Sequence, residues 1–217
     1  MGTDWKELAD SAKSRSEIYA LLTTVFREDP TEAFIKELRG PRLSAAFTEM
    51  EVDLGESFYS APESSVAEEL AVEFTRLFIG PGSHISAHES IFTEVDGDSG
   101  GLWGKRTVEV KKFIETTGLD YEDAFTGLPD HVSVELEFMG KLAEWEADKW
   151  LQEDRKSAEY CQSVQRMFLE KHLLCWLPQL CDAVMVQAEI PFYFAMAELA
   201  KNYVEFERQD MAIEAAA

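Results

Sequence analysis

Residues 64–82 read SSVAEELAVEFTRLFIGPG, and this stretch decides the fold class. Its apolar side chains recur at helical spacing, at Val66, Leu70, Phe74, Leu77 and Phe78. Polar residues occupy the opposite side, so the pattern predicts an amphipathic α-helix. The helix is expected to end at Gly80 and Pro81, because proline lacks a backbone donor and glycine permits unusual backbone angles.

The same helical period recurs along most of the chain, and alternating strand patterns are nearly absent. The sequence therefore predicts an all-α protein, a single globular bundle of about nine or ten helices over 1–217. A long glycine-rich loop is expected near 80–104, and it would join a possible N-terminal region (1–79) to a C-terminal region (105–210). Two late helices, 154–177 and 179–188, are expected to break near Pro178.

The charge balance limits the classes of partner. Among 217 residues, 42 are acidic and 20 basic, a formal net charge of −22. Such a charge repels nucleic acids and anionic membranes and favours cationic partners. There is no 18-residue apolar stretch and no secretory signal pattern, and three cysteines without CxxC spacing are expected to be buried free thiols. We therefore expect a cytoplasmic protein without membrane insertion.

The pentapeptide GDSGG at residues 97–101 suggests a serine protease, with Ser99 as nucleophile and His88 as base. A catalytic triad is defined by geometry on a scaffold that joins distant residues, and here both lie in one glycine-rich loop of a helical protein. His84, His88 and Glu89 offer a second alternative, a zinc site, but their order differs from that of H-E-x-x-H metalloproteases. We expect neither a catalytic residue nor a metal.

The segment 128–148 carries the remaining candidates. Asp130 is placed as the N-cap of a helix that begins at Val132, and Asp130 with His131 forms a pair expected to be exposed and available for binding. The acidic side chains of this helix are expected to form a solvated face; they are Glu135, Glu137, Glu144, Glu146 and Asp148. On residues alone, the chain is an acidic helical binding protein rather than an enzyme.

Several segments together resemble a known family. They are EFTRLFIGPG at 73–82, HESIF at 88–92, GLWG at 101–104, TVEV at 107–110, LPDHVSVELEFM at 128–139, HLLCWLP at 172–178 and PFY at 191–193. In this order they resemble the signature of the TorD/DmsD/NarJ chaperones, which are cytoplasmic maturation factors for molybdenum oxidoreductases. One departure is Ala87-His88, where the family usually has proline.

The resemblance implies an all-helical chaperone without catalytic activity or cofactor. Its partner would be a molybdenum oxidoreductase catalytic subunit or that subunit's twin-arginine signal peptide, held until the cofactor is inserted. The family's peptide-binding positions fall on Phe78, Gly80, Pro81, Glu89, Ser90, Pro129, Asp130, His131 and Glu135. Leu77, Leu136, Phe138 and Met139 are expected in the core.

The resemblance leaves the oligomeric state open, as a monomer or a domain-swapped homodimer. A helical adaptor for another basic peptide remains an alternative function, and a metal- or serine-dependent hydrolase is a further one. Each alternative uses features already named: the acidic excess for the adaptor, and the 84–104 loop for the hydrolase.

Overall fold

A computed structural model describes residues 4–95, 98–99, 101–119 and 127–216. The α-helices are α1 (Trp5–Arg27), α2 (Glu32–Leu38), α3 (Pro41–Glu49), α4 (Glu56–Ser60), α5 (Glu63–Phe74), α6 (Glu89–Phe92), α7 (Lys105–Thr116), α8 (Val132–Leu151), α9 (Arg155–Phe168), α10 (Leu174–Gln187) and α11 (Pro191–Ala216). Two π-helical turns, Thr75–Ile79 and Leu169–Leu173, extend α5 and join α9 to α10. The predicted all-α class is confirmed.

Side chains cap several of these helices. The Asp4 carboxylate accepts hydrogen bonds from the backbone N–H groups of Lys6 and Glu7 at the start of α1. Thr31 caps α2 in the same way, and Asp154 caps α9. Because the first N–H groups of a helix have no partner within it, these short polar residues fix where each helix begins.

Helix α1 lies antiparallel against α8 along its length. Trp5 stacks on Trp150 with ring centroids 5.6 Å apart near one end, and Arg27 pairs with Glu137 near the other. In the middle, a Cβ added to Gly140 would lie 3.3 Å from the Cβ of Tyr19. The glycine therefore permits the close approach of the two helices, which explains its place inside α8 despite its low helix propensity.

The hydrophobic core draws on both sides of the predicted 80–104 loop. Phe58, which precedes the loop, stacks on Phe192 of α11, and the Tyr193 hydroxyl donates a hydrogen bond to the Leu70 carbonyl at 3.1 Å. The residues predicted as core are buried, namely Leu77, Leu136, Phe138 and Met139. The helices before and after the loop thus share one continuous set of buried side chains.

One local prediction was incomplete and two were wrong. The 80–104 segment contains α6 and a small antiparallel pair, β1 (Glu94–Val95) with β2 (Asp98–Ser99). The chain does not break at Pro178, which lies inside α10. A proline ring crowds the carbonyl four residues earlier, which here belongs to Leu174, where the π-helical turn gives way to α10. Among the cysteines, Cys175 is exposed rather than buried.

Candidate functional site

The structure brings two of the predicted motif segments side by side. The backbone N–H of Glu89 donates to the Asp130 carbonyl at 2.9 Å, and that of Val132 donates to the Ala87 carbonyl at 2.9 Å. Between these bonds, His88 and His131 form an antiparallel β-bridge. Residues 87–90 and 130–132 therefore form one backbone-linked unit, although a long stretch of chain separates them.

Asp130 caps a different helix from the one that the sequence predicted. Its Oδ2 accepts a hydrogen bond from the Ser90 backbone N–H at 3.0 Å, in the first turn of α6. The N-cap of α8 is instead His131, whose Nδ1 accepts from the Ser133 N–H at 3.2 Å. Asp130 is fully buried, so the expected exposed Asp130-His131 pair was also wrong. The reason is tertiary, because the aspartate serves a segment that packs on it from elsewhere in the chain.

Three carboxylates, those of Glu89, Asp130 and Glu135, are fully buried in this region. Glu89 Oε2 lies 2.9 Å from His172 Nδ1, and Glu89 Oε1 lies 3.2 Å from Arg106 Nε in an ion pair. Asp130 Oδ1 and Glu135 Oε1 have no hydrogen-bond partner among the described residues. Buried carboxyl groups of this kind are costly unless they are paired or protonated.

The carboxyl of Glu135 has a raised pKa. Burial raises the pKa of its carboxyl well above its ordinary value, and the nearby Glu89 and Asp130 raise the pKa further. The Trp176 Nε1–H donates to Glu135 Oε2 at 3.0 Å and opposes this shift only in part. Burial therefore favours the protonated form of Glu135 relative to an exposed glutamate, and protonation would reduce the negative charge of the group.

The two bridging histidines lie above these carboxylates and are partly accessible. Their rings meet edge to face with centroids 4.9 Å apart. Burial and the neighbouring His88 lower the pKa of His131 to about 4, and burial lowers the pKa of His88. Because His131 Nδ1 accepts the Ser133 N–H, the proton of the neutral ring is on Nε2. Both imidazole rings are therefore neutral at pH 7, and a ligand that binds here contacts uncharged histidines.

The other predicted site residues lie around this unit. Pro129 is buried in the turn just before Asp130. Phe78 packs in a separate aromatic group with Phe26 and Tyr193, at centroid distances of 6.1 and 6.3 Å. Gly80 ends the π-helical turn by donating to the Thr75 carbonyl at 2.6 Å, and Pro81 is exposed. The backbone bond from Ile85 to the Leu77 carbonyl at 2.7 Å connects the π-helical turn to the segment that leads into 87–90.

Sequence reasoning missed three residues of the cluster: Arg106, His172 and Trp176. His172 and Trp176 are four residues apart, a spacing that places both on one side of a helix, where they meet Glu89 and Glu135. That spacing was visible in the sequence. No sequence signal singled out Arg106, because its role depends on the packing of α7 against α6.

The acidic side chains of α8 do not form a uniform solvated face. Glu137, Glu144 and Asp148 are exposed as expected, whereas Glu135 and Glu146 are buried. Helix α1 covers one of these carboxylates and α10 the other, because α8 runs through the interior and is surrounded on several sides. The prediction was therefore wrong for two of the five residues.

Glu146 belongs to a second buried polar group, between α1, α8, α9 and α11. Arg15 pairs with Glu146 and donates to Gln165 Oε1 at 3.0 Å, and it lies 3.7 Å from Glu207. The Tyr19 hydroxyl donates to Glu207 Oε2 at 3.3 Å. Burial raises the pKa of Glu207 to about 7, and the Arg15 charge opposes that shift. This group ties four helices together.

The features behind the hydrolase alternative do not converge on one another. His84 is exposed, His88 faces His131, and Glu89 is engaged by His172 and Arg106. Ser99 is in strand β2, while Gly97 and Gly100 of the pentapeptide lie outside the described residues. Within the portion of the chain that the structure describes, no group of three or more His, Cys, Asp or Glu side chains has a metal-binding arrangement. In the same portion, no helix is long and apolar enough to cross a membrane.

The motif residues of this all-helical fold form a backbone-linked, buried polar unit. A family model described as nitrate reductase delta subunit matches residues 40–182. The chain therefore belongs to this family, the nitrate reductase delta subunit and TorD family of redox enzyme maturation chaperones. The family consists of chaperones rather than enzymes.

Individual relatives agree with this assignment. The chain is 27% identical over 217 residues to the chaperone protein TorD of Psychrobacter sp. (strain PRwf-1), covering 92% of this chain and 93% of the relative. It is 32% identical over 107 residues to the perchlorate reductase assembly chaperone protein of Dechloromonas aromatica (strain RCB), covering 49% and 47% of the two chains. A solved structure of a redox enzyme maturation protein from Archaeoglobus fulgidus has the same fold, with a TM-score of 0.52, 20% identity, and coverage of 88% and 93%.

Proposed function

We propose that this chaperone acts in the cytoplasm on the apo-form of a molybdenum oxidoreductase subunit. It binds the subunit's twin-arginine signal peptide and assists cofactor insertion before export. Family membership and one relative named for perchlorate reductase assembly support the client class. The observation that carries the peptide-binding role is the linked unit formed by residues 87–90 and 130–132, which gathers most of the predicted binding residues around one set of buried carboxylates.

In this proposal the buried and the accessible residues have different roles. Glu89, Asp130 and Glu135 are buried beneath the surface, so they act on the conformation and the charge of the site without contacting the peptide. His131, partly accessible, contacts the peptide directly. Beside it, Glu137 is exposed and pairs with Arg27, whose charge is close enough to act on the pKa of His131.

A leader guanidinium can exchange with Arg27 on the Glu137 carboxylate, because exposed ion pairs are weak and bidentate guanidinium contacts are stronger. The apolar stretch of the leader would then contact Phe78, the partly accessible member of its aromatic group. The net charge of −22 supports the encounter, since a strongly acidic protein attracts a dibasic peptide at low salt.

Titration of leader peptides tests this function. A peptide with the Arg-Arg pair is expected to bind at least about tenfold more tightly than its Ala-Ala variant, with a Lys-Lys peptide in between because lysine cannot make the bidentate contact. Affinity should fall as salt is raised. Equal binding of the Arg-Arg and Ala-Ala peptides would contradict the electrostatic component of the proposal.

One alternative is favoured by the acidic excess alone: an adaptor for some other basic segment. A scrambled leader with the same composition separates the two functions. A chaperone that reads the leader should prefer the natural order of residues, whereas a generic acidic adaptor should bind both peptides equally.

A further inference from the structure

Two polar groups of His131 are engaged within the fold, and its Nε2 atom is not. Nδ1 accepts a hydrogen bond from the Ser133 backbone N–H at 3.2 Å and lies 2.8 Å from the Ser133 hydroxyl. The backbone N–H of His131 donates to the Leu128 carbonyl at 3.2 Å. Among the described residues Nε2 has no hydrogen-bond partner, and it is not one of the buried unpartnered atoms, so it lies at the accessible edge of the ring.

This free ring atom carries a proton. Because Nδ1 accepts the Ser133 N–H, the neutral imidazole has its proton on Nε2, on the other side of the ring from the helix cap. His88 packs against the ring edge to face, and the β-bridge between the two residues joins their backbones. The accessible edge of His131 is therefore a hydrogen-bond donor that is held in a fixed position.

A fixed donor matches one class of ligand group and not two others. A transition metal binds the lone pair of a ring nitrogen, which would require the proton to leave Nε2. In the part of the chain that the structure describes, no third side chain joins the two histidines in a metal-binding arrangement. A guanidinium group has N–H donors and no acceptor, so an arginine side chain cannot accept this bond either. The matching group is an acceptor oxygen.

A leader peptide offers an acceptor oxygen at every residue. Its arginine side chains only donate and its apolar side chains do neither, whereas each residue has a main-chain carbonyl. The exposed Glu137 carboxylate is close to His131, because its partner Arg27 acts on the pKa of the ring. A leader arginine bound at Glu137 therefore brings the main-chain carbonyls of its own segment to the edge of His131.

We propose that the Nε2–H of His131 donates a hydrogen bond to a main-chain carbonyl of the bound leader, while the Glu137 carboxylate binds the arginine side chains. This inference rests on the leader binding proposed above and assigns the chemistry of one contact in it. A bond to the main chain does not depend on which side chain the leader has at that residue. Leaders of different sequence can therefore share this contact.

Two substitutions separate the roles of the two ring nitrogens. His131→Asn keeps an acceptor near the position of Nδ1 and can still cap α8, but it has no donor at the position of Nε2. His131→Gln has an amide N–H near the position of Nε2, but it is a poor N-cap. Fluorescence anisotropy with a labelled Arg-Arg leader should show about three- to tenfold weaker binding for His131→Asn and less than about twofold for His131→Gln. Urea unfolding should show the opposite order, with the larger loss of stability for His131→Gln.

Leader peptides with a single ester in place of one peptide bond test the acceptor directly. An ester carbonyl is a weaker acceptor than an amide carbonyl, so an ester at the contacting residue should weaken binding to the wild type about threefold or more. The same ester should have no effect on binding to His131→Asn, which has no donor to lose. Glu137→Gln is the matched control, because it should lose the preference for Arg-Arg over Ala-Ala and still respond to the ester.

Three outcomes would overturn the inference and leave the proposed function intact. One is an Arg-Arg leader that binds His131→Asn as tightly as the wild type. Another is His131→Gln losing as much affinity as His131→Asn. The last is a set of ester peptides whose effects are equal in the wild type and in His131→Asn at every position. A wild-type chain that does not bind the Arg-Arg leader at all would instead contradict the proposed function, and this inference with it.

Discussion

The carboxylate of Asp130 accepts a hydrogen bond from the backbone N–H of Ser90 at 3.0 Å, across forty residues of chain. Both residues are buried. The bond joins the turn before α8 to the first turn of α6, so a residue expected at the surface instead holds two motif segments in place. Its contribution to binding is therefore expected to be indirect, through the position of His131.

Two substitutions of Asp130 should distinguish the contribution of its hydrogen bond to stability from the contribution of its side-chain volume. Asp130→Ala leaves the Ser90 N–H buried without its acceptor and is expected to cost about 1–3 kcal/mol of unfolding free energy. Asp130→Asn keeps an acceptor oxygen in the same place and should cost less. Urea unfolding measures both variants, and leader affinity should follow the same order. Equal losses for Ala and Asn would show that the bond to Ser90 is unimportant.

Removal of the Glu89 carboxylate should be far more harmful than removal of an exposed one. Glu89→Ala leaves His172 and the partly buried Arg106 without their shared partner, and we expect a loss of about 3–5 kcal/mol. Glu137→Ala is the control, because its ion pair with Arg27 is exposed and should contribute less than about 1 kcal/mol. Thermal or urea unfolding measures the contrast, and similar losses in the two variants would refute it.

His131 should make the fold sensitive to mild acid. The pKa of His131 is lowered to about 4 in the folded chain, below the value of about 6.5 in the unfolded chain. The unfolded state therefore takes up a proton first, and stability is lost as the pH falls from about 6.5 to about 4.

The variant His131→Asn retains a side-chain N-cap but has no titratable group. Its unfolding free energy should fall less than that of the wild type across the same pH interval. NMR titration of the wild type should show a mostly neutral His131 ring at about pH 5.5, which lies between the folded and unfolded pKa values. A ring that titrates near its ordinary pKa would contradict the burial argument.

Glu207 should have the opposite sign of pH dependence. The pKa of its carboxyl is raised to about 7 by burial, so between about 4.5 and 7 the folded chain holds more protons than the unfolded chain. This contribution to stability is present at low pH and is lost as the pH rises. Relative to wild type, Glu207→Gln should gain unfolding free energy between pH 5 and pH 8, by on the order of 1–3 kcal/mol. A difference that stays constant with pH would rule out this titration.

Residue patterns predicted most of the fold. The apolar period located α5 to within a few residues, because this helix buries one side and exposes the other, and the start of α8 at Val132 was also predicted. The short α4 and α6 were missed, since one turn of helix is too short to show a period. The π-helical turns were also missed, because nothing in a local pattern distinguishes them from α-helix.

The family motifs predicted a set of residues for the candidate site, but not how these residues are arranged in space. The family motifs placed Glu89 and Asp130 in one predicted set, and the two residues are hydrogen-bonded neighbours in the structure, but Asp130 was expected to be exposed, as acidic residues usually are. Buried Glu89 has His172 as a partner, 83 residues away in the chain. A spacing of that length carries no geometric information, so the partner becomes known only from the fold.

The backbone bonds between residues 87–90 and 130–132 also make the intervening chain a closed loop, with its two ends fixed to each other. The entropy of closing a flexible loop grows only with the logarithm of its length, so doubling the loop costs about 0.6 kcal/mol. Insertions in this segment outside α6 and α7 therefore cost little loop-closure entropy, whereas α7 itself contributes buried side chains and Arg106 to the fold. The chaperone has a segment in which it can acquire new contacts while the linked unit stays intact.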